Sequence, residues 1–241
     1  MTASSGLKLS FPQLAIQYHK QENSQPWLLI TGGRPPQSLW LQKLQKLQGF
    51  SRCWAADHGI DLCHQAGIRP DCLLGDGDSA SSAAWNWAMQ QGIPVKKYPA
   101  AKDLTDTQLA LARMTDAGAP FLIVTGAFGG RFDHAFSTIF SAAGNRIPCL
   151  LIDESEAIFY ATANQPMTLF FQNVPKAVSL LPLTAICSGV TINHVRWPLS
   201  GAMLTQELPN AVSNELAAGK KDVHIRVSSG ILGVYCYWGC C

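Results

Sequence analysis

Between Trp27 and Ile152 short apolar runs alternate with amphipathic stretches. The runs predict strands at Trp27–Thr31, Cys53–Ala56, Cys72–Leu74, Ile93–Lys96, Phe121–Thr125 and Ile147–Ile152. The spacing between them predicts helices over Leu39–Leu47, Ile60–Ala66, Ala83–Gln91, Thr105–Thr115 and His134–Ala143. In the fourth of these, Leu104, Leu109, Leu111 and Met114, with small Ala110 and Ala112, suit a buried helix face. Strand–helix alternation with short loops predicts a parallel, doubly wound sheet of Rossmann-like type. After Glu154 the helical period disappears. Runs at Ala157–Ala161, Met167–Phe171, Ala177–Leu181, Val190–His194, Val223–Val227 and Ile231–Tyr237 alternate or are rich in aromatics, with turn residues at short intervals. That pattern favours an antiparallel sandwich or barrel. The expected fold class is thus α/β plus all-β: a doubly wound, mostly parallel sheet over residues 1–153, then an antiparallel β-sandwich over 154–241, with the boundary at Asp153–Glu156.

Composition narrows the classes. The chain has 241 residues, of which 47% are hydrophobic and 14% charged; an average soluble protein is about 25% charged. The apolar fraction excludes disorder, and 20 Gly with 14 Pro exclude a coiled coil. A net charge of +2 argues against nucleic acid as a partner, since neutralising phosphates takes clustered Lys and Arg. Met1 to Phe11 holds no apolar run behind a basic start, and no apolar stretch reaches the roughly 18 residues of a membrane span, so neither export nor a membrane is expected. Eight scattered Cys without CxxC or zinc-type spacing read as small buried hydrophobes in a reducing cytosol. The Cys240-Cys241 pair follows the strand-like run Ile231–Trp238 rather than a flexible polar tail, which argues against lipidation.

The aspartates are unevenly placed. Of 11 Asp, nine lie between Asp57 and Asp133, a stretch with no Glu. Asp57, then Asp76 and Asp78, then Asp103 and Asp106, then Asp133 each follow an expected strand. In a parallel sheet those loops share one edge, where ligands bind at the topological switch point. Clustered carboxylates repel unless a cation neutralises them, and oxygen ligands suit Mg²⁺ shared with substrate phosphates. A single Asp between strand and helix is more often an N-cap, and Asp61, Asp71 and Asp116 suit such structural roles. Asp76 and Asp78 flank a glycine in Gly75-Asp76-Gly77-Asp78-Ser79, which brings two carboxylates close around a permissive backbone. For an anion, the turn containing Gly126, Gly129 and Gly130 leads into a helix and offers N–H groups, and Arg131 adds a phosphate-shaped fork. The same glycines also suit a plain tight turn. Lys102 can contact phosphate or water, and His134 can act as a base or a cap. Neither a Walker-type loop nor a dinucleotide fingerprint is present.

Taken in order, these segments resemble the thiamin pyrophosphokinase family. Ala56-Asp57-His58-Gly59 resembles its ADGG element, and Pro70-Asp71 with Gly75–Ser79 its PD…GDFDS element. Lys102-Asp103-Leu104-Thr105-Asp106 with Ala110-Leu111 resembles KDxTD…AL, and Gly126–His134 resembles GAxGGRxDH. Val212-Ser213-Asn214-Glu215 and Ser229-Gly230-Ile231-Leu232 resemble ISNE and SGILL. The resemblance implies a nucleotide-binding α/β domain followed by a β-sandwich, acting as a cytoplasmic homodimer. It implies transfer of the pyrophosphoryl group of ATP to the hydroxyl of thiamin, giving thiamin diphosphate and AMP. It also implies metal ligation of Mg²⁺ by Asp76, Asp78 and Asp106, and an ATP and hydroxyl site lined by Asp57, Lys102, Asp103, Arg131 and Asp133. Ser213 and Asn214 would lie near the thiamin pocket. The chain departs from the family pattern at His58, Asp61, Gly77, Thr138 and Ala217–Gly219. These departures leave two further readings: a pyrophosphokinase for another small alcohol such as a pterin, and a non-catalytic thiamin- or nucleotide-binding regulator.

Overall fold

In the computed structural model, which describes residues 6–75, 77, 80–98 and 103–239, the chain opens on an antiparallel hairpin. Its strands are β1 (Leu7–Ser10) and β2 (Leu14–Tyr18), with Leu7 opposite Tyr18. Strands and helices then alternate: β3 (Trp27–Ile30), α1 (Ser38–Gln48), β4 (Arg52–Ala56), α2 (Gly59–Ala66), β5 (Cys72–Leu74), α3 (Ser82–Gln90), β6 (Val95–Lys96), α4 (Asp106–Asp116), β7 (Leu122–Thr125), α5 (Phe132–Ala143) and β8 (Cys149–Ile152). The rest is strand: β9 (Glu156–Ala161), β10 (Met167–Phe171), β11 (Ala177–Pro182), β12 (Ile186–Asn193), β13 (Leu199–Thr205), β14 (Asp222–Arg226) and β15 (Leu232–Tyr237). Among the described residues the protein is mostly β, with five helices that lie between β3 and β8.

Contacts divide the chain into two units. One is Gln25–Asp153; the other joins the described residues up to Ser24 to those from Glu154 onward. The start of the chain, expected with the first domain, therefore belongs to the second unit. The reason is pairing: β2 adds antiparallel to β10, with Ile16 opposite Leu169.

Within Gln25–Asp153 every strand pairing is parallel, in the order β8-β7-β3-β4-β5-β6. β3, β7 and β8 are buried at every residue, which explains their unbroken apolar sequence. The expected strand from Ile93 begins only at Val95, because the Ile93 N–H closes the end of α3 onto the Ala88 carbonyl (3.0 Å) and Pro94 has no N–H to give. The fourth helix buries Leu109, Ala110, Leu111 and Met114 as expected, but Leu104 precedes the helix and is 46% exposed. From β3 the chain runs outward through β4, β5 and β6, then returns to the other side of β3 as β7. The order thus reverses between β3 and β7.

The second unit is antiparallel, with β1-β2-β10-β14-β12-β13 in one run and β11-β15-β9 in another. Alternate residues such as Leu7 and Leu9, Val223 and Ile225 enter its core. The described cysteines, Cys53, Cys63, Cys72, Cys149, Cys187 and Cys236, are all buried and unpaired, as small hydrophobes. Burial pushes the Cys149 thiol up to about 12 and that of Cys236 higher still. The terminal Cys240 and Cys241 lie outside the described residues. No helix among the described residues is long and apolar enough to cross a membrane.

Candidate active site

A cavity of about 470 Å³ opens at the carboxyl ends of the parallel strands, where their order reverses. Its floor is a zipper between the loops after β3 and β7. The Thr31 hydroxyl donates to the Gly126 carbonyl (2.7 Å), the Gly33 N–H to the same carbonyl (2.7 Å), and the Arg34 N–H to the Phe128 carbonyl (2.6 Å). Two glycines are demanded by this approach. A Cβ on Gly33 would sit 2.4 Å from the Gly126 oxygen, and one on Gly126, at φ +70°, 2.3 Å from the Thr31 oxygen. The Arg34 side chain pairs with Asp153, Nη2 to Oδ2 at 2.6 Å, and Asp153 is wholly buried. Sequence reading missed Thr31, Arg34 and Asp153, whose roles arise from pairings 95 and 119 residues apart.

Asp57 stands at the mouth, directly after β4, in the left-handed region at φ 54°. Its N–H donates to the Leu74 carbonyl (2.7 Å), and Gly75 packs against its backbone, so strand pairing holds this costly conformation in place. His58 follows and lines the cavity, with its Nδ1 3.7 Å from the Asp61 carboxylate. Asp61 is buried and accepts the Ser81 N–H (3.2 Å), so it ties α2 to the start of α3, a structural role. Asp71 accepts the Cys53 N–H (2.7 Å), and Asp116 pairs with Arg146; both are structural as well.

Across the opening, Asp106 is the first residue of α4. A capping box fixes it: Thr105 Oγ1 accepts the Gln108 N–H (3.2 Å) while Gln108 Oε1 accepts the Thr105 N–H (2.9 Å). The Gln108 amide then donates to Ser141 on α5 (3.0 Å), locking the two helices together.

Gly126, Gly129, Gly130, Arg131, His134 and Thr138 complete the wall. Gly130, at φ 64°, has open space where a Cβ would be, so backbone conformation alone selects glycine there. The Arg131 fork is held by Asp133, Nε to Oδ1 at 3.1 Å and Nη2 to Oδ2 at 2.6 Å, and Asp133 also accepts the His134 N–H (3.0 Å). Arg131 holds the Asp133 carboxyl below its usual range, and the pair in turn raises the Arg131 guanidinium.

Of the residues singled out from sequence, Asp57, Asp106, Gly126, Gly129, Gly130, Arg131 and His134 meet around the one cavity. Asp133 touches it only through Arg131, and Asp103 is an exposed bend outside the lining. Asp76, Asp78 and Lys102 lie outside the described residues. Ser213 and Asn214 belong to the second unit. There Ser213, at φ 58°, donates its N–H to Ser179 Oγ (3.0 Å), and the Asn214 side chain brackets Trp197, accepting its N–H (3.1 Å) and donating to its carbonyl (2.7 Å).

The donor set tests the expectation of Mg²⁺. The lining holds the carboxylates of Asp57 and Asp106 beside Thr31, Thr105, Thr107 and Thr138, the imidazoles of His58 and His134, and no thiol; the two carboxylates are hard oxygen donors that fit this ion.

The chain is similar to known proteins. Residues 44–149 match the family model described as thiamin pyrophosphokinase, catalytic domain, and residues 170–232 match thiamin pyrophosphokinase, vitamin B1 binding domain. A thiamine pyrophosphokinase of Bacillus subtilis (strain 168) is 24% identical over 190 residues, 78% of this chain and 82% of that one. The crystal structure of thiamine pyrophosphokinase from Bacillus subtilis superposes with a TM-score of 0.76 at 21% identity, covering 89% of this chain and 99% of that one. Thiamin pyrophosphokinase from Candida albicans gives 0.70 at 16% identity, covering 92% and 99%. With both family models matched in order, and with glycine turns and carboxylates around one strand-end cavity, the chain belongs to the thiamin pyrophosphokinase family of diphosphotransferases.

Proposed function

We propose that this chain transfers the pyrophosphoryl group of ATP to the hydroxyl of thiamin, in a cavity at the switch point of a doubly wound, Rossmann-like sheet, with the antiparallel unit folded as a β-sandwich. The observation that carries the reading is the convergence of Asp57, Asp106 and the Gly126–Arg131 turn on one strand-end cavity inside the segment matched by the catalytic model. The thiamin hydroxyl oxygen attacks the β-phosphorus, the bond from that phosphorus to the α–β bridging oxygen breaks, and AMP leaves while the hydroxyl proton is lost. Such a transfer rests on positioning and charge stabilisation more than on covalent help.

Each residue then has a task. The N–H groups of Gly129 and Gly130, ahead of α5, bind phosphate oxygens at a helix N-terminus. Arg131, oriented by Asp133, places positive charge on the migrating group, and Lys102 and Asp103 bind the nucleotide from the loop before α4. Asp57 accepts the hydroxyl proton or orients the hydroxyl, and His134 is the second candidate for the base. Asp76, Asp78 and Asp106 would hold Mg²⁺, which when bound neutralises phosphate charge. Ser213 and Asn214 serve thiamin recognition through the turn they shape. The family likeness extends the reading to a cytoplasmic homodimer, and light scattering on the purified chain tests the dimer.

Incubation with ATP, Mg²⁺ and thiamin should yield AMP and thiamin diphosphate in equal amounts. AMP formation with a different alcohol but not with thiamin would replace this reading. The second reading, a pyrophosphokinase for such an alcohol, is favoured by His58, which lines the cavity where the family element has glycine. Ligand binding without turnover would instead indicate a regulator.

A further inference from the structure

Far from any zinc-type spacing in the sequence, strand pairing in the second unit gathers two histidines around one carboxylate. Asp222 and His224 are two apart on β14 and so share a face, while His194 directly follows β12, which pairs antiparallel with β14 through Asn193 opposite His224. His194 Nδ1 and His224 Nε2 each lie 2.9 Å from the same atom, Asp222 Oδ2, and the three converge within 4.8 Å of one another. The two rings meet edge to face, centroids 5.0 Å apart. Their side chains are 32%, 27% and 45% exposed for His194, Asp222 and His224, so one side of the group faces solvent.

The far ring nitrogen of His224 is already engaged. Thr168 sits opposite His224 on β10 and is 1% exposed, with its Oγ1 3.0 Å from His224 Nδ1 and 2.8 Å from His19 Nε2. With Nδ1–H of His224 donating to Thr168, and the Thr168 hydroxyl donating to His19, the lone pair of His224 Nε2 is left aimed at the cluster. A hydrogen bond at the far ring nitrogen is the arrangement that fixes the tautomer of a ligating histidine.

We propose that His194 Nδ1, His224 Nε2 and Asp222 Oδ2 form a binding site for a borderline divalent metal ion, Zn²⁺ foremost, with solvent as the remaining ligand. Two imidazoles and a carboxylate with an open position suit zinc, whereas Mg²⁺ avoids nitrogen donors. The site is separate in chemistry from the oxygen-lined cavity. Because His194 and Asp222 bracket residues 195–221, the ion clips the base of the excursion that carries β13 and the Ser213–Asn214 turn.

The test is titration of the untagged, chelator-stripped full chain with Zn²⁺ by calorimetry, and with Co²⁺ by visible absorption. About one equivalent should bind, with the intense Co²⁺ bands of a four-coordinate site and a Zn²⁺-dependent rise in Tm. His194→Ala/His224→Ala should lower affinity by about a hundredfold or more, with an unchanged circular dichroism spectrum. Thr168→Val keeps all three ligands and should lower affinity by about tenfold, which reads the site even if the double variant misfolds. Absence of saturable binding to the parent chain, or equal affinity in the Thr168→Val and double variants, would overturn the proposal and leave a His–Asp–His hydrogen-bonded group.

Discussion

Arg131 and Asp133 grip each other through two parallel hydrogen bonds, of 3.1 and 2.6 Å, at the start of the helix that walls the cavity. Both side chains are well exposed, at 75% and 61%, so the pair orients a guanidinium rather than stabilising the fold. Asp133→Asn should therefore raise the KM for ATP several-fold with a smaller loss of kcat, while Arg131→Ala should raise KM and depress kcat together. Steady-state kinetics separates the two patterns.

The same pair sets a pH dependence. Asp133 titrates below its ordinary value because Arg131 bonds its charged form. Its contribution is complete above the ordinary carboxylate range and disappears as pH falls through the lowered value. Carbon-detected NMR should find the Asp133 midpoint below that of an unpaired Asp, and Arg131→Ala should return it to normal.

Asp106 begins α4 behind a capping box made by Thr105 and Gln108. Asp106→Asn should leave the helix and the Tm essentially unchanged yet reduce turnover by orders of magnitude. An unchanged rate would remove Asp106 from the catalytic carboxylates.

Arg34 and Asp153 make a partly buried ion pair, the carboxylate wholly buried and the guanidinium 28% exposed. Asp153→Ala removes the carboxylate partner of a partly buried guanidinium and should cost about 3 kcal/mol, measured by urea unfolding. Asp153→Ala/Arg34→Met should recover much of that loss.

Two neighbouring glycines separate backbone strain from close packing. Gly130→Ala meets open space at a positive φ and should cost about 1 kcal/mol. Gly126→Ala adds a clash with the Thr31 carbonyl and should cost several times more, as thermal unfolding would show.

The parallel unit was legible in the sequence because its buried strands are unbroken apolar runs and its helices carry clean periods. β13 escaped notice for the opposite reason: it is an edge strand, largely exposed, with Gly201 at φ 64° breaking its alternation. β1 and β2 escaped because the strand their hairpin joins, β10, lies about 150 residues onward, beyond any local pattern. At the site, Asp57, Asp106 and the Gly126–Arg131 turn were readable because each follows a strand. Arg34, Asp153 and the His194–Asp222–His224 group were not, since cross-strand and loop-to-loop pairing leaves no fixed spacing in sequence.

The pairing of β2 with β10 also orders events on the ribosome. The β1–β2 hairpin waits without its β10 partner while the whole segment from Gln25 to Asp153 is made, and the parallel pairings of that segment all lie within it. The catalytic unit can thus fold as an insert inside an unfinished one, and the unit that encloses it in sequence is completed last. Deleting the first hairpin should then spare the parallel sheet and expose the β10 edge to pairing with other chains.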